Sequence, residues 1–196
     1  MPHFPEAEFL TSSWQAGQFP PDEGREVAFV GRSNAGKSSA LNAITGRRVL
    51  ARISKTPGRT QLINFFSVKS GGRLVDLPGY GYAKVPAEMQ RHWRQLMNSY
   101  VEARESLRAL VIVVDARRGL TDFDQQMLEW VKAREFATRL LLTKSDKLNR
   151  SESTRVLREV EAATQGRATT QLFSAVTKSG VDEARGWVLA NLRGEN

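Results

Sequence analysis

Residues 31–38 read Gly31-Arg32-Ser33-Asn34-Ala35-Gly36-Lys37-Ser38, the spacing G-x-x-x-x-G-K-S of a phosphate-binding loop. The segment before it, 26–30, has the composition of a buried strand, and residues 38–44 after it have that of a helix. Glycines let the backbone approach an anion, and the first N–H groups of the helix then face the phosphates. An ordinary glycine turn is the alternative. The order of strand, loop and helix favours the phosphate-binding loop.

Length and composition limit the class of protein. The chain has 196 residues, enough for one domain with a substantial core, and its hydrophobic fraction of 40% suits a soluble globular protein. No apolar run is long enough to cross a bilayer, and no secretory signal is visible at the start. The absence of cysteine excludes disulfides and thiolate chemistry. We therefore expect a cytoplasmic protein, and nothing in the sequence points to an obligate dimer.

Positive charge is concentrated in one part of the chain. The formal net charge is +8, yet residues 27–75 contain nine Lys and Arg and no Asp or Glu, so the rest of the chain is nearly neutral. A bound nucleotide explains Lys37 but not the other eight. A larger polyanion such as RNA is the simplest explanation, with a basic face that has no partner as the alternative.

Strand patterns alternate with amphipathic helix patterns, which is typical of a parallel sheet with helices on both faces. A Gly71-Gly72 turn predicts a hairpin, which adds one antiparallel strand. The predicted strands are 26–30, 61–68, 73–76, 110–114, 140–142 and 169–173, and the helices span 38–44, 86–104 and 151–164, with others starting at 121 or 122 and near 181. We predict an α/β fold of the P-loop NTPase type with a mostly parallel, six-stranded sheet. Residues 1–24 are predicted to form an arm packed on the body, and residues 25–196 the nucleotide-binding domain.

A second motif, Asp76-Leu77-Pro78-Gly79, directly follows a predicted strand. Its carboxylate suits a magnesium ion, together with the Ser38 hydroxyl, and the N–H of Gly79 can meet the last phosphate. Lys37 would reach the outer phosphates. Alone, D-x-x-G is more often an ordinary turn, but its position after a phosphate-binding loop favours the magnesium site.

A third motif, Thr143-Lys144-Ser145-Asp146, follows a leucine-rich strand and predicts the base. An aspartate accepts two hydrogen bonds from guanine, whereas adenine lacks that donor pair and would leave a charge unpaired. The alternatives are a helix cap for Asp146 and a solvated surface lysine for Lys144. The motif disfavours an ATP-dependent kinase. After the last strand, Phe173 leads into Ser174-Ala175, which can add backbone donors to the base.

These motifs, with Thr56-Pro57-Gly58-Arg59-Thr60 and the block DLPGYGYA from Asp76 to Ala83, resemble the bacterial EngB GTPases, also called YihA or YsxC. The resemblance covers about residues 6–193. It implies a GTPase with a G domain that helps to assemble the large ribosomal subunit and is needed for normal cell division. It also implies that Thr60 joins Ser38 on magnesium, with Thr56 as a competitor that spacing does not exclude.

The predicted site follows from the motifs and this resemblance. The groups expected to act on the phosphates are Lys37, Thr60 and Gly79, and the expected magnesium ligands are Ser38, Thr60 and Asp76. The expected GTP or GDP contacts are Gly31, Arg32, Ser33, Asn34, Ala35, Gly36, Lys37, Ser38, Gly58, Arg59, Thr60, Asp76, Leu77, Pro78, Gly79, Thr143, Lys144, Ser145, Asp146, Phe173, Ser174 and Ala175.

The residue after D-x-x-G is Tyr80, where many GTPases have a glutamine that orients the attacking water. We therefore expect slow intrinsic hydrolysis. Asn34 and the loop 56–60 are candidates to hold a potassium ion. Asp115 and Asp124 are assigned structural roles.

The basic loop 47–59 is the predicted contact with ribosomal RNA, through Arg52, Lys55 and Arg59. One alternative function is a nucleotide-dependent binding module with negligible turnover. Another is a GTPase that modifies tRNA or works at a membrane.

Overall fold

A seven-stranded sheet and five α-helices form the part of the chain that the computed structural model describes, residues 3–47, 50, 62–80, 86–134 and 136–195. The elements are β1 (Ala7–Ser13), β2 (Glu26–Gly31), α1 (Lys37–Thr45), β3 (Ile63–Val68), β4 (Arg73–Asp76), α2 (Ala87–Ala103), β5 (Leu107–Asp115), α3 (Asp122–Arg134), β6 (Ala137–Thr143), α4 (Arg150–Thr164), β7 (Thr169–Leu172) and α5 (Val181–Arg193). None of the described helices is long and apolar enough to span a membrane.

The strand order is β1-β3-β4-β2-β5-β6-β7. All neighbours from β4 to β7 run parallel, and β3 is antiparallel to both β1 and β4. The α/β fold class with one antiparallel strand is confirmed.

The predicted number of six strands was wrong, because the arm supplies β1 at the edge of the sheet. Its register with β3 runs from Ala7 opposite Val68 to Ser13 opposite Ile63 and is irregular between Phe9 and Thr11. The sequence pattern of β1 does not indicate a buried strand, because its large apolar residues are exposed, Phe9 by 60%. Elsewhere in the arm, Phe4 is buried.

Alternation along each central strand builds two cores, one on each face of the sheet. Along β5, Ala109, Val111 and Val113 pack on one face and Leu110, Ile112 and Val114 on the other. Buried residues of α1 and α5 belong to the first core, and those of α2, α3 and α4 to the second. The prediction of helices on both faces is therefore confirmed.

Helix starts agree with the sequence pattern to within one residue. α4 begins after Asn149, whose side chain accepts from the N–H of Glu152 at 2.9 Å while the Glu152 carboxylate accepts from the N–H of Asn149 at 2.8 Å. This capping box satisfies two N–H groups that have no acceptor within the helix. Before α3, the N–H of Thr121 donates to the Asp124 carboxylate at 2.8 Å.

At the end of β2 opposite the loop, a buried charge cluster holds the arm. We call Glu26, Arg73, Tyr100 and Arg104 the Glu26 cluster. The fully buried Glu26 carboxylate accepts from Arg73 Nε at 2.7 Å, from the Tyr100 hydroxyl at 2.8 Å, and from Arg104 Nε and Nη2 at 2.9 and 2.6 Å. Arg104 Nη1 also donates to the carbonyl of Pro20 at 2.9 Å, so the cluster fixes the end of the arm to α2 and β2.

Candidate nucleotide-binding site

The carboxyl ends of β2, β4, β6 and β7 lie along one edge of the sheet, because these strands are parallel. These ends carry, in turn, the phosphate-binding loop, Asp76, the motif 143–146, and Phe173 with Ser174. Ligands of open α/β sheets bind beyond this edge. The fold thus brings together motifs that are more than 100 residues apart in the chain.

Two glycines allow the backbone path of the loop. A Cβ on Gly31 would lie 2.6 Å from the carbonyl oxygen of Val113, so the strand can approach β5 only without a side chain. Gly36 has φ 97° and directly precedes α1, and Asn34 also has positive φ, 64°. In α1, the N–H of Ala40 is the first to donate to a carbonyl one turn earlier, that of Gly36. The N–H groups of the preceding turn therefore point beyond the helix start, where an anion can accept from them.

Lys37 and Asp76 form an ion pair at the mouth of this loop, in which Lys37 Nζ donates to Asp76 Oδ1. Their side chains are only 12% and 11% exposed. Two nearly buried charges that neutralise each other can separate only if other charges replace the partners. Phosphates suit Lys37 and a divalent cation suits Asp76, so the pair fits a magnesium–nucleotide complex.

The magnesium ligands predicted from the sequence are only partly described. Ser38 directly follows Lys37 in the first turn of α1. Thr60, together with Thr56, Gly58 and Arg59, falls outside the described residues. Among the residues that are described, no three His, Cys, Asp or Glu side chains cluster as a metal site. The predicted site differs from such clusters because it takes one carboxylate and two hydroxyls from the chain.

The D-x-x-G motif lies against the phosphate-binding loop. The N–H of Tyr80 donates to the Gly31 carbonyl at 3.3 Å, and the N–H of Ser33 donates to the Tyr80 carbonyl at 2.8 Å. A Cβ on Gly79 would lie 3.4 Å from the Gly31 oxygen. Of the other predicted contacts in this motif, Leu77 is fully buried in the core, and the Pro78 carbonyl accepts from Trp93 Nε1 at 3.2 Å.

The side chain of Tyr80 turns into the protein. It is 3% exposed, and its hydroxyl donates to the Asp124 carboxylate. Burial, and then the Asp124 charge, hold the pKa of Tyr80 far above its ordinary value, so the hydroxyl stays protonated. Tyr80 therefore does not direct a polar group towards the loop as a glutamine at this position can.

The base end of the site is a cavity of about 250 Å³. Its lining residues are Gly36, Ser39, Thr143, Lys144, Asp146, Lys147, Phe173, Ala175 and Val176. One carboxylate oxygen of Asp146 accepts from the Ser174 hydroxyl at 2.6 Å, and Lys147 Nζ lies 3.4 Å from the other. Ser174, and then Lys147, lower the pKa of Asp146, which keeps the carboxylate charged and able to accept.

Ser174 differs from its predicted role. Its backbone N–H donates to the Ser179 carbonyl at 2.9 Å, so it is not a donor for the base. Its hydroxyl instead orients Asp146 and accepts from the N–H groups of Val176 and Thr177 at 3.2 and 3.1 Å. The other backbone donor predicted for this loop, the N–H of Ala175, stays a prediction.

Lys144 connects the loop to a carboxylate that the sequence reasoning placed outside the site. Its Nζ donates to the Asn34 carbonyl at 2.6 Å and to Asp115 Oδ2 at 2.9 Å. Arg117 also donates to Asp115, from Nε at 2.9 Å and Nη2 at 2.7 Å. Although burial raises the pKa of Asp115, the hydrogen bonds from Arg117 and Lys144 hold it well below its ordinary value. Asp115 lies opposite Thr143 on the neighbouring strand. Its place at the end of a buried strand is the sequence signal that could have found it.

Comparison with known proteins gives consistent matches. A family model described as "50S ribosome-binding GTPase" matches residues 26–144. A "Probable GTP-binding protein EngB" of Coxiella burnetii is 50% identical over 187 residues, which cover 94% of this chain and 91% of that protein. One of the same name from Nitrosococcus oceani is 53% identical over 179 residues, which cover 90% of each chain.

Solved structures match as well. The crystal structure of a probable GTP-binding protein EngB has a TM-score of 0.70 at 21% identity and covers 86% of this chain and 99% of its own. The crystal structure of Era with MgGDPNP and nucleotides 1506–1542 of 16S ribosomal RNA has a TM-score of 0.65 at 20% identity, covering 86% of this chain and 57% of its own. At these identities the matches show a shared fold.

Proposed function

The chain belongs to the EngB family of GTP-binding proteins, and on that premise we propose that it hydrolyses GTP slowly, as a switch in assembly of the large ribosomal subunit. The observation that carries the proposal is the single sheet edge that holds the Lys37–Asp76 pair at one end and Asp146 at the other. One group suits polyphosphate, and the other suits a base with two adjacent donors.

Guanine is the base that the cavity favours. Asp146 is charged and held by Ser174, so its remaining acceptor positions are available to the guanine ring N–H and exocyclic amine. Lys144 is fixed by Asn34 and Asp115, so its aliphatic stem can cover the base without first losing freedom. Adenine would leave the Asp146 charge unpaired.

The phosphates would lie over the loop N–H groups, with Lys37 moving from Asp76 to the outer phosphates. Ser38, Asp76 and Thr60 would hold magnesium, which when bound neutralises phosphate charge. The N–H of Gly79 would meet the terminal phosphate. These amides and Lys37 stabilise the charge that develops on the transferring phosphoryl group.

Slow turnover follows from the orientation of Tyr80. With its hydroxyl bonded to Asp124, no side chain at this position orients the attacking water. A potassium ion held by Asn34 and the 56–60 loop would supply the positive charge that an arginine finger supplies in other GTPases. Equal single-turnover rates in sodium and potassium buffers would remove the potassium part of the proposal.

The proposed partner is the large ribosomal subunit or its RNA, reached by a monomer in the cytoplasm, with a further role in cell division. The description of the matching family model supports a ribosomal partner. The proposed contact residues Arg52, Lys55 and Arg59 lie outside the described residues. If the basic stretch binds RNA, affinity should fall steeply as salt rises.

Two experiments test this function. In co-sedimentation with purified large subunits, the complex with a non-hydrolysable GTP analogue should bind more tightly than the GDP complex, and both should weaken across a salt series. In single-turnover hydrolysis, GTP should be cleaved slowly alone and faster with large subunits. Nucleotide-independent sedimentation with a flat salt response would contradict the switch.

A second candidate is a nucleotide-dependent binding module with negligible turnover. The inward orientation of Tyr80 favours it, because a switch that only changes shape needs no group to orient water. Single-turnover hydrolysis separates the two candidates. A rate that stays at the uncatalysed level even with large subunits would select the binding module.

A further inference from the structure

A buried hydrogen bond joins Tyr80, directly after the D-x-x-G motif, to Asp124 in the first turn of α3. Asp124 is 2% exposed, and Tyr80 is 3% exposed. One carboxylate oxygen of Asp124 accepts from the Tyr80 hydroxyl. The other accepts from the N–H and the hydroxyl of Thr121 at 2.8 and 2.7 Å. Because both oxygens have donors, Asp124 has a fixed orientation and fixes the hydroxyl of Tyr80.

Aromatic packing holds the Tyr80 ring from two helices. Its centroid lies 5.6 Å from that of Phe123 on α3 and 6.1 Å from that of Trp93 on α2. Trp93 also donates from Nε1 to the Pro78 carbonyl at 3.2 Å. The residues on either side of Gly79 are thus both attached to helices of the second core.

The backbone of Tyr80 is attached to the phosphate-binding loop at the same time. It donates to the Gly31 carbonyl at 3.3 Å and accepts from the Ser33 N–H at 2.8 Å. Gly79 is one peptide away and so close to the loop that an added Cβ would lie 3.5 Å from the Ser33 nitrogen. The Gly79 N–H is therefore located by anchors on both of its neighbours.

We propose that Asp124, acting through Tyr80, is a positioning residue for the Gly79 N–H group that receives the terminal phosphate of GTP. This inference rests on the proposed function, which assigns the terminal phosphate to Gly79. Asp124 itself touches no nucleotide. It keeps Tyr80 seated, and Tyr80 sets the distance between Gly79 and the loop.

Loss of this positioning should affect GTP and not GDP, because only GTP has a third phosphate. GDP would meet the loop, Lys37 and Asp146 but has no third phosphate for Gly79. Small displacements of a positioning group have large effects on the bound reacting group, since a shift of about 1 Å can cost about a hundredfold in rate. Loss of the Tyr80–Asp124 bond should therefore weaken GTP binding and turnover and spare GDP.

Two variants test the inference. Tyr80→Phe removes only the hydroxyl and keeps the ring between Trp93 and Phe123. Asp124→Ala removes the acceptor of the Tyr80 hydroxyl and leaves Tyr80 itself unchanged. For each variant, calorimetric affinities for GDP and for a non-hydrolysable GTP analogue are measured with magnesium, together with single-turnover rates. We expect analogue affinity and rate to fall about tenfold or more, with GDP affinity within about twofold.

Tyr100→Phe is the matched control. Tyr100 is also a buried tyrosine whose hydroxyl donates to a carboxylate, that of Glu26 at 2.8 Å, but it belongs to the Glu26 cluster at the other end of β2. Its loss should lower stability and leave the ratio of GTP-analogue to GDP affinity unchanged.

The outcomes separate this inference from the proposed function. If Tyr80→Phe and Asp124→Ala weaken both nucleotides equally, or weaken neither, the inference is wrong while the proposed function stands. If the unmodified protein binds neither nucleotide, the proposed function itself is wrong, and the inference fails with it. A variant that does not fold is recognised by its unfolding curve, and the other variant then decides.

Discussion

Two buried charged groups lie at opposite ends of the sheet and differ in how completely they are satisfied. In the Glu26 cluster, each of the two carboxylate oxygens accepts two hydrogen bonds. Arg73 and Arg104 also donate from further N–H groups to carbonyls of the arm. At the loop, Lys37 and Asp76 have mainly each other, beside an open edge of the sheet.

The difference separates a structural role from a binding role. A fully satisfied cluster has nothing to exchange, so removing a member leaves buried charge uncompensated. A single pair at an open edge can exchange its partners for phosphate and cation. The comparison predicts that variants at the Glu26 end affect folding, whereas variants at the loop end affect binding.

Glu26→Ala should have the largest effect. It leaves the guanidinium groups of Arg73 and Arg104 near the arm without their carboxylate, which should lower the free energy of unfolding by about 3–5 kcal/mol. Urea denaturation measures it. The control is Glu6→Ala, since Glu6 pairs with Arg47 at 3.0 Å on the surface and its loss should change stability little. Equal effects of the two variants would remove the structural role of the cluster.

Asp146→Asn should have the second-largest effect, and that effect is on nucleotide affinity. Hydrogen bonds to a charged group contribute about 1.5–3 kcal/mol, so GDP affinity should fall about tenfold to a hundredfold with little change in stability. An asparagine amide can donate to the C2 carbonyl of xanthine, so affinity for xanthosine diphosphate should rise. Calorimetry measures both. Unchanged GDP affinity would mean that Asp146 is only a cap of the turn that follows.

Ser174→Ala should have a smaller effect of the same kind. It removes the hydroxyl that orients Asp146, so GDP affinity should fall about 3- to 10-fold, in line with one hydrogen bond. Ser99→Ala is a suitable control, because the Ser99 hydroxyl bonds only within its own helix, to the Gln95 carbonyl at 2.8 Å. A loss of stability in Ser174→Ala without a loss of affinity would make Ser174 a structural residue of its loop.

Asp22→Asn should give the smallest effect, and one that depends on pH. Although burial raises the pKa of Asp22, hydrogen bonds from Ser106 and Glu105 lower it overall to about 2. A lowered folded-state pKa adds stability above the unfolded value of about 3.9 that is lost as pH falls towards 2. Since the side chain is 36% exposed, screening should limit the contribution to less than about 1 kcal/mol.

Urea denaturation of the unmodified protein and of Asp22→Asn from pH 7 to pH 2.5 checks the sign. The difference between their free energies of unfolding should shrink as pH falls through 4. A difference that grows at low pH would contradict the lowered pKa. Guanosine affinity at pH 7 should be the same in both proteins, because Asp22 lies at the Glu26 end of the sheet.

Local patterns were enough to predict much of this arrangement. The spacing around Lys37, Asp76 and Asp146 placed each motif after a strand, and parallel strands bring such ends to one edge. The strand β1 was missed because its pairing partner lies over 50 residues away and its apolar residues Phe9 and Leu10 are exposed.

Contacts between motifs were harder to predict than the motifs. The Tyr80–Asp124 bond joins residues 44 apart on a loop and a helix, and no spacing rule relates them. The roles of Ser174 and Asp115 depend on which atoms face each other across neighbouring elements. Such contacts are set by the packing of the two cores, which the sequence pattern specifies only as apolar faces.

The central claim is that one guanine nucleotide spans the edge from Lys37 to Asp146, and calorimetry with GDP and ADP in magnesium tests it most directly. The account predicts tight binding of GDP, at least about a thousandfold weaker binding of ADP, and a preference that falls about tenfold to a hundredfold in Asp146→Asn. Equal affinity for the two nucleotides, or no binding of either, would contradict it.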